Sequence, residues 1–182
     1  GWREEIVAIA GGPDDQRLLA AGTYGQLSFL DLTPDGKEHL VYFPTDFIDE
    51  PPFTHVSQDL NGRYALLTSG AKTTLLLVDL ATGQQARSFV GHKKPVLSAS
   101  LSPDGAFLVS SEDRVIHLWR VSTGELVRTL RAHTADVRAV TFSPDGRYIA
   151  SGGDDQTIKL WHGTDPGGGA ALQQVVSPSR RV

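Results

Sequence analysis

The chain has 182 residues and a net charge of −4. That is enough for one ordinary domain with a core, and mild acidity supplies no field drawing it to nucleic acid or an anionic membrane. It has no cysteine, which excludes disulfides, thiolate metal centres and a cysteine nucleophile, and no apolar run approaches the ~20 residues of a membrane-spanning helix.

In chain order the local signals are strands and turns. A turn falls near Gly11 to Gln16, and the first strand motif ends at Leu30-Asp31-Leu32. Pro44 to Phe53, with Pro44, Pro51 and Pro52, reads as an extended loop. Asn61-Gly62-Arg63-Tyr64 is hairpin chemistry, and Val78-Asp79-Leu80-Ala81-Thr82-Gly83 ends a strand in a turn. Ser102-Pro103-Asp104-Gly105 marks another hairpin. Val137 to Phe142 alternates and is β-branched, Tyr148 to Ser151 is a short apolar run, and Thr157 to Trp161 alternates again. Beyond Trp161 the pattern loosens into a Gly-rich turn at His162 to Gly169. A last strand is predicted at Ala171 to Val176, and 177–182 reads as a mobile tail or linker. No helix start and no long 3.6-residue pattern occurs.

These pieces repeat. His92, Ser102-Pro103-Asp104-Gly105, Asp113 and Trp119 return as His133, Ser143-Pro144-Asp145-Gly146, Asp155 and Trp161. The offset is 41 residues for the histidine and the turn, and 42 for the aspartate and tryptophan. One residue is therefore inserted between turn and aspartate. Two weaker copies lie upstream, around Asp31 and Asp79, which are 48 residues apart because of the proline loop.

A period of about 40 residues with a Gly-His dipeptide, an Asp-Gly turn, a tight-turn aspartate and a strand ending in tryptophan resembles the WD-repeat β-propeller family. The matching residues are Gly91-His92, Asp104-Gly105, Asp113 and Trp119, then Ala132-His133, Asp145-Gly146, Asp155 and Trp161. The match is specific over 91–161 and degenerate over 5–90. The naming dipeptide is imperfect throughout, reading Leu30-Asp31, Val78-Asp79, Trp119-Arg120 and Trp161-His162. The resemblance implies an all-β fold, a β-propeller of four-stranded antiparallel blades. About four blades are expected, at 1–43, 53–89, 90–130 and 131–176. Propellers close with about 4–8 blades, typically more than four in this family, so these are expected to be part of a larger ring. The remaining blades would come from the same longer chain, a second copy or another subunit.

The family also implies a buried hydrogen-bonded tetrad in each full blade. Here it would be His92, Ser110, Asp113 and Trp119, then His133, Ser151, Asp155 and Trp161. The one-residue deletion leaves Ser111 competing with Ser110. Indole, hydroxyl, imidazole and carboxylate satisfy one another in a dry site where each would be costly unpaired. The first two copies lack the set: Leu30 and Val78 replace tryptophan, and Tyr24 and Lys72 stand where aspartate is expected.

Ser, His and Asp together also suggest a hydrolytic triad. That chemistry needs an exposed serine, an oxyanion site and a pocket, whereas a motif that recurs with the repeat reads as structural. The six histidines (39, 55, 92, 117, 133, 162) show no close metal-ligand spacing. His117 alternates with Ile116 and Leu118 and should face the other side of its strand. Asp14-Asp15 and Asp154-Asp155 read as turn residues with no calcium-loop pattern, and Gly167-Gly168-Gly169 is followed by no Lys-Ser/Thr. No cofactor or metal is expected.

In the family, partner contacts concentrate on loops just after the Gly-His histidine and just before the tight-turn aspartate. Matched here, these are Pro95, Leu97 and Glu112, then Asp136, Arg138 and Asp154, with Lys93 on the same loop as Pro95. The expected function is a non-catalytic protein-interaction scaffold or regulatory module that binds protein partners and no nucleic acid. The alternative is an accessory propeller domain or subunit supporting an enzyme or redox complex; a hydrolase with a channel metal is a third, weaker reading. Twelve arginines against five lysines suggest a GC-rich, bacterial source. A cytoplasmic location is expected unless an N-terminal signal has been removed.

Overall fold

The computed structural model describes residues 6–11, 17–22, 27–31, 55–59, 61–68, 73–131, 133–163 and 173–176. Every regular element among these residues is a strand. They run β1 Ile6–Gly11, β2 Arg17–Gly22, β3 Leu27–Asp31, β4 His55–Gln58, β5 Tyr64–Thr68, β6 Thr74–Asp79, β7 Gln84–Val90, β8 Ser98–Leu101, β9 Phe107–Glu112, β10 Val115–Arg120, β11 Leu126–Arg131, β12 Val137–Phe142, β13 Tyr148–Gly153, β14 Thr157–His162 and β15 Gln173–Val176. Four antiparallel sheets follow in chain order: β1–β3, β4–β7, β8–β11 and β12–β15. Each strand pairs with its neighbour in sequence. The proline loop at 44–53, Tyr24, Lys72, Ala132, the glycine run at 167–169, Ala171 and the tail at 177–182 lie outside the described residues.

One turn is used three times. Gly62 N–H donates to the Asp59 carbonyl (3.0 Å), Gly105 to Ser102 (2.9 Å) and Gly146 to Ser143 (2.8 Å). The three glycines have φ of 65°, 68° and 70°, the left-handed region that glycine enters without steric cost. The side chain opening each turn accepts the N–H five residues on: Tyr64 N–H to Asp59 Oδ1, Phe107 N–H to Ser102 Oγ and Tyr148 N–H to Ser143 Oγ. In the last two sheets the serine hydroxyl also donates to Asp104 or Asp145 at 2.6 Å. These bonds hold both carboxyls below their usual range.

The chain divides into two compact units, Gly1–Val96 and Leu97–Val182. The core of the first joins Leu19, Ala21 and Leu27 to Val56, Ala65, Leu67, Val78 and Leu80. In the second, Val109, Ile116, Leu118 and Leu130 from the β8–β11 sheet meet Val137, Val140, Phe142, Ile149 and Trp161 from the β12–β15 sheet. Trp161 is fully buried; covering an indole of roughly 200 Å² contributes about 5 kcal/mol. Polar stitches reinforce this pairing of sheets. Ser111 Oγ donates to the Val137 carbonyl (3.0 Å), Val140 N–H to Ser98 Oγ (3.2 Å) and Arg128 Nη2 to the His162 carbonyl (2.7 Å).

Successive residues of β10 are buried. Ile116, His117, Leu118 and Trp119 are all buried, so His117 faces away from Ile116 and Leu118 without reaching solvent. The outer face of the β12–β15 sheet is different. There Ala139, Tyr148 and Ile158 are exposed, and Ala150 and Leu160 are half-buried.

Candidate interaction surface and its buried supports

The turn between β13 and β14 is built around Asp155. Its Oδ1 accepts the Thr157 N–H (3.1 Å) and hydroxyl (2.7 Å), and its Oδ2 accepts the Thr134 N–H (3.0 Å) and His133 Nδ1–H (2.9 Å). Burial works against ionisation of this carboxyl. The Thr134 N–H, the Thr157 hydroxyl, the imidazole and the Thr157 N–H together outweigh it and hold the pKa far below the ordinary carboxylate value. With Nδ1–H given to Asp155, His133 Nε2 is left as an acceptor. Ser151 Oγ lies 2.8 Å from that nitrogen and donates to it, and Ser151 in turn accepts the Trp161 indole N–H at 2.9 Å. Protons therefore point one way along the chain, from indole to hydroxyl to imidazole to carboxylate. Gly153 makes room for it: a Cβ there would lie 2.8 Å from the Asp136 carbonyl and 3.1 Å from His133 Nδ1.

Serine, histidine and aspartate thus stand at triad distances, but the arrangement closes on itself. Ser151 is 2% exposed and its oxygen already holds the indole. A nucleophile in that position meets no substrate.

The β8–β11 sheet repeats the contact between indole and serine. Trp119 Nε1 donates to Ser110 Oγ at 2.8 Å, while Ser111 binds the Val137 carbonyl, which settles the competition between the two serines. His92 is buried and belongs to the first compact unit, whereas Ser110, Asp113 and Trp119 belong to the second. The turn is one residue shorter, with Asp113 and Arg114 between the paired Glu112 and Val115. Asp113 adopts φ 48°, and its side chain is 33% exposed beside Arg114 (3.8 Å), against 5% for Asp155.

Glu112, expected on the partner-facing rim, corrects that expectation: it is buried. Its Oε1 lies 3.1 Å from His117 Nε2, and His117 Nδ1 lies 3.1 Å from Thr129 Oγ1. Val115 pairs with Glu112 at the head of β10, so the short turn aims the carboxylate along the sheet face that carries His117 rather than outward. Sequence reasoning missed this second buried set. Its signal was an imidazole two residues before Trp119, on the same side of the strand, with an acidic residue just before the turn.

Of the other rim residues, Lys93 and Pro95 are exposed and Leu97 is half-buried, its N–H donating to the Ser111 carbonyl. Asp136, Arg138 and Asp154 form one cluster, in which Arg138 and Asp154 are exposed and Asp136 is half-buried. Arg138 Nε and Nη2 both donate to Asp154 Oδ2 (2.8 and 2.6 Å), and Nη2 lies 3.4 Å from Asp136 Oδ2. The guanidinium holds the Asp154 carboxyl below its usual value. Backbone bonds fix this end of the second unit: Val137 N–H donates to the Asp113 carbonyl (2.7 Å) and Asp154 N–H to the Asp136 carbonyl (2.8 Å).

A family model described as WD domain, G-beta repeat matches residues 83–120 and 124–162. These two stretches are WD repeats, which supports a WD-repeat family. Its all-β sheets are of the kind that form propeller blades. Each WD repeat ends at the tryptophan strand, Trp119-Arg120 or Trp161-His162. Repeat and sheet are out of phase by one strand. The second match takes β11, the outer strand of one sheet, together with β12, β13 and β14 of the next. WD repeats generally mediate protein interaction or scaffolding. Among the described residues no three His, Asp or Glu side chains gather as a metal site, and no helix is long and apolar enough to cross a membrane.

Proposed function

We propose that this chain is a non-catalytic interaction module that meets a protein partner through the loop ends of its second unit, with Asp136, Arg138 and Asp154 as the contact cluster. The observation that carries this reading is a division of labour. In the β12–β15 sheet the polar groups of the repeat motif are buried and satisfied by one another, while Arg138 and Asp154 stand exposed beside half-buried Asp136 on backbone held by hydrogen bonds. Pre-set side chains lose little freedom when a partner docks, which favours recognition. The Arg138 fork, tied to Asp154, presents a fixed pattern of charge rather than a mobile one.

The open outer face of the β12–β15 sheet adds a second requirement. Exposed Ile158 and Tyr148 with Ala139, Ala150 and Leu160 make an apolar surface of the sort that marks an interface. We propose that a further blade stacks there; a dimer mass in solution would assign it to a second copy, and a monomer mass would exclude that source.

The test compares affinity capture by wild type, Arg138→Ala, Asp154→Ala and Arg147→Ala, the last an exposed residue of the β12–β13 turn. A partner held by wild type and Arg147→Ala but released by both cluster variants, with unchanged melting temperatures, supports the reading. Equal retention by all four places the contact elsewhere.

A further inference from the structure

We propose that Asn61 is a deamidation site, and that the carboxylate formed there loosens the β4–β5 turn. Asn61 is the single asparagine of the chain, it is exposed, and glycine follows it. Glycine leaves its amide nitrogen unshielded by a side chain. That nitrogen loses its proton to solvent base and bonds to the Asn61 Cγ. The Cγ–Nδ2 bond breaks and ammonia leaves with the proton. The cyclic imide then takes up one water and opens to aspartate or isoaspartate, with no change of oxidation state. In the folded chain the Gly62 N–H is held by the Asp59 carbonyl at 3.0 Å. The attack therefore proceeds through a briefly opened turn, and its rate reports that opening.

The identity of residue 59 gives the reaction its consequence. The three equivalent turns share their backbone bonds. In two, the opening residue is serine, whose hydroxyl hydrogen meets Asp104 or Asp145 at 2.6 Å. In the third, the opening residue is Asp59, which is 4% exposed and accepts the Tyr64 N–H at 2.7 Å. An aspartate at 61 would meet a second carboxylate where its counterparts meet a hydroxyl hydrogen. Like charges at that separation repel, the more so beside a buried group. Asparagine is uncharged beside Asp59, and its conversion sets two carboxylates together in one turn.

The full chain is aged at mildly alkaline pH and mapped by peptide mass spectrometry beside Asn61→Asp, Asn61→Gln and Asp59→Ser/Asn61→Asp variants. The amide-to-acid mass shift is expected at residue 61, more slowly than in the urea-unfolded chain, and absent from Asn61→Gln. Asn61→Asp should melt several degrees below wild type and show faster exchange of the Tyr64 amide. The double variant, which rebuilds the serine–aspartate pair of the other two turns, should regain most of that loss. No conversion at 61 while the unfolded chain converts fully would overturn the site. Equal melting of wild type and Asn61→Asp, or no recovery in the double variant, would overturn the clash with Asp59.

Discussion

Replacing Ser151 by alanine probes the buried chain at its middle. The hydroxyl accepts from Trp161 Nε1 (2.9 Å) and donates to His133 Nε2 (2.8 Å), and its residue is 2% exposed. Alanine leaves an indole N–H and a ring nitrogen without their partner in a place water does not reach. Each orphaned group costs about 1–3 kcal/mol, and the lost oxygen opens too little space to admit a water. The expected loss is about 2–5 kcal/mol, a fall in Tm of roughly 10–20 °C for a unit of this size. Urea unfolding followed by tryptophan fluorescence measures it. Trp161→Phe removes the indole donor, so the cycle of the two single variants and the double isolates their coupling, expected at about 0.5–3 kcal/mol. A loss under about 0.5 kcal/mol, or strict additivity with Trp161→Phe, would refute the claim that these groups form one network.

Gly153→Ala should cost about 1–3 kcal/mol, because the new methyl group meets the Asp136 carbonyl at 2.8 Å; calorimetry showing an unshifted Tm contradicts this. Glu112→Gln keeps an acceptor for His117 and should be mild, whereas Glu112→Ala should cost about 1–3 kcal/mol; equal effects of the two would show the hydrogen bond to be unimportant. Acid unfolding follows from Asp155. Its folded pKa is depressed, so its stabilisation is complete above the unfolded value near 3.9 and is lost as pH falls through the lower folded value. Asp155→Asn should flatten the fall in stability below about pH 4, and an unchanged acid profile in that variant would assign the titration to another group.

The last two sheets were the most legible part of the molecule. Their turns are written in glycines at fixed offsets, and Trp161, Ser151, His133 and Asp155 occupy a constellation that few other arrangements of those groups would satisfy when dry. The first two sheets carry the same strands on apolar residues such as Leu66, Leu67 and Val78, which pack without naming a partner. Glu112 was misread for a physical reason. Spacing from the turn places a residue along the strand, but the loss of one turn residue decides whether its side chain points along the sheet or out of it. Ser110 and Ser111 show the same limit, since adjacent hydroxyls on one strand differ only in the face they take.

The space that Gly153 keeps clear has a bearing on how this chain changes over generations. At the equivalent end of β9 stands Glu112, whose bulk at position 153 would invade the gap that His133 and Asp155 occupy. The β8–β11 sheet carries a buried acid and base, Glu112 and His117, at a place where the β12–β15 sheet needs glycine. Copying the 107–119 hairpin onto 148–161 would import Glu112 and His117 without Thr129, and displace Asp155 without removing His133. A hairpin moved between these repeats would therefore bring bulk into the space that Gly153 keeps clear, which favours their staying distinct.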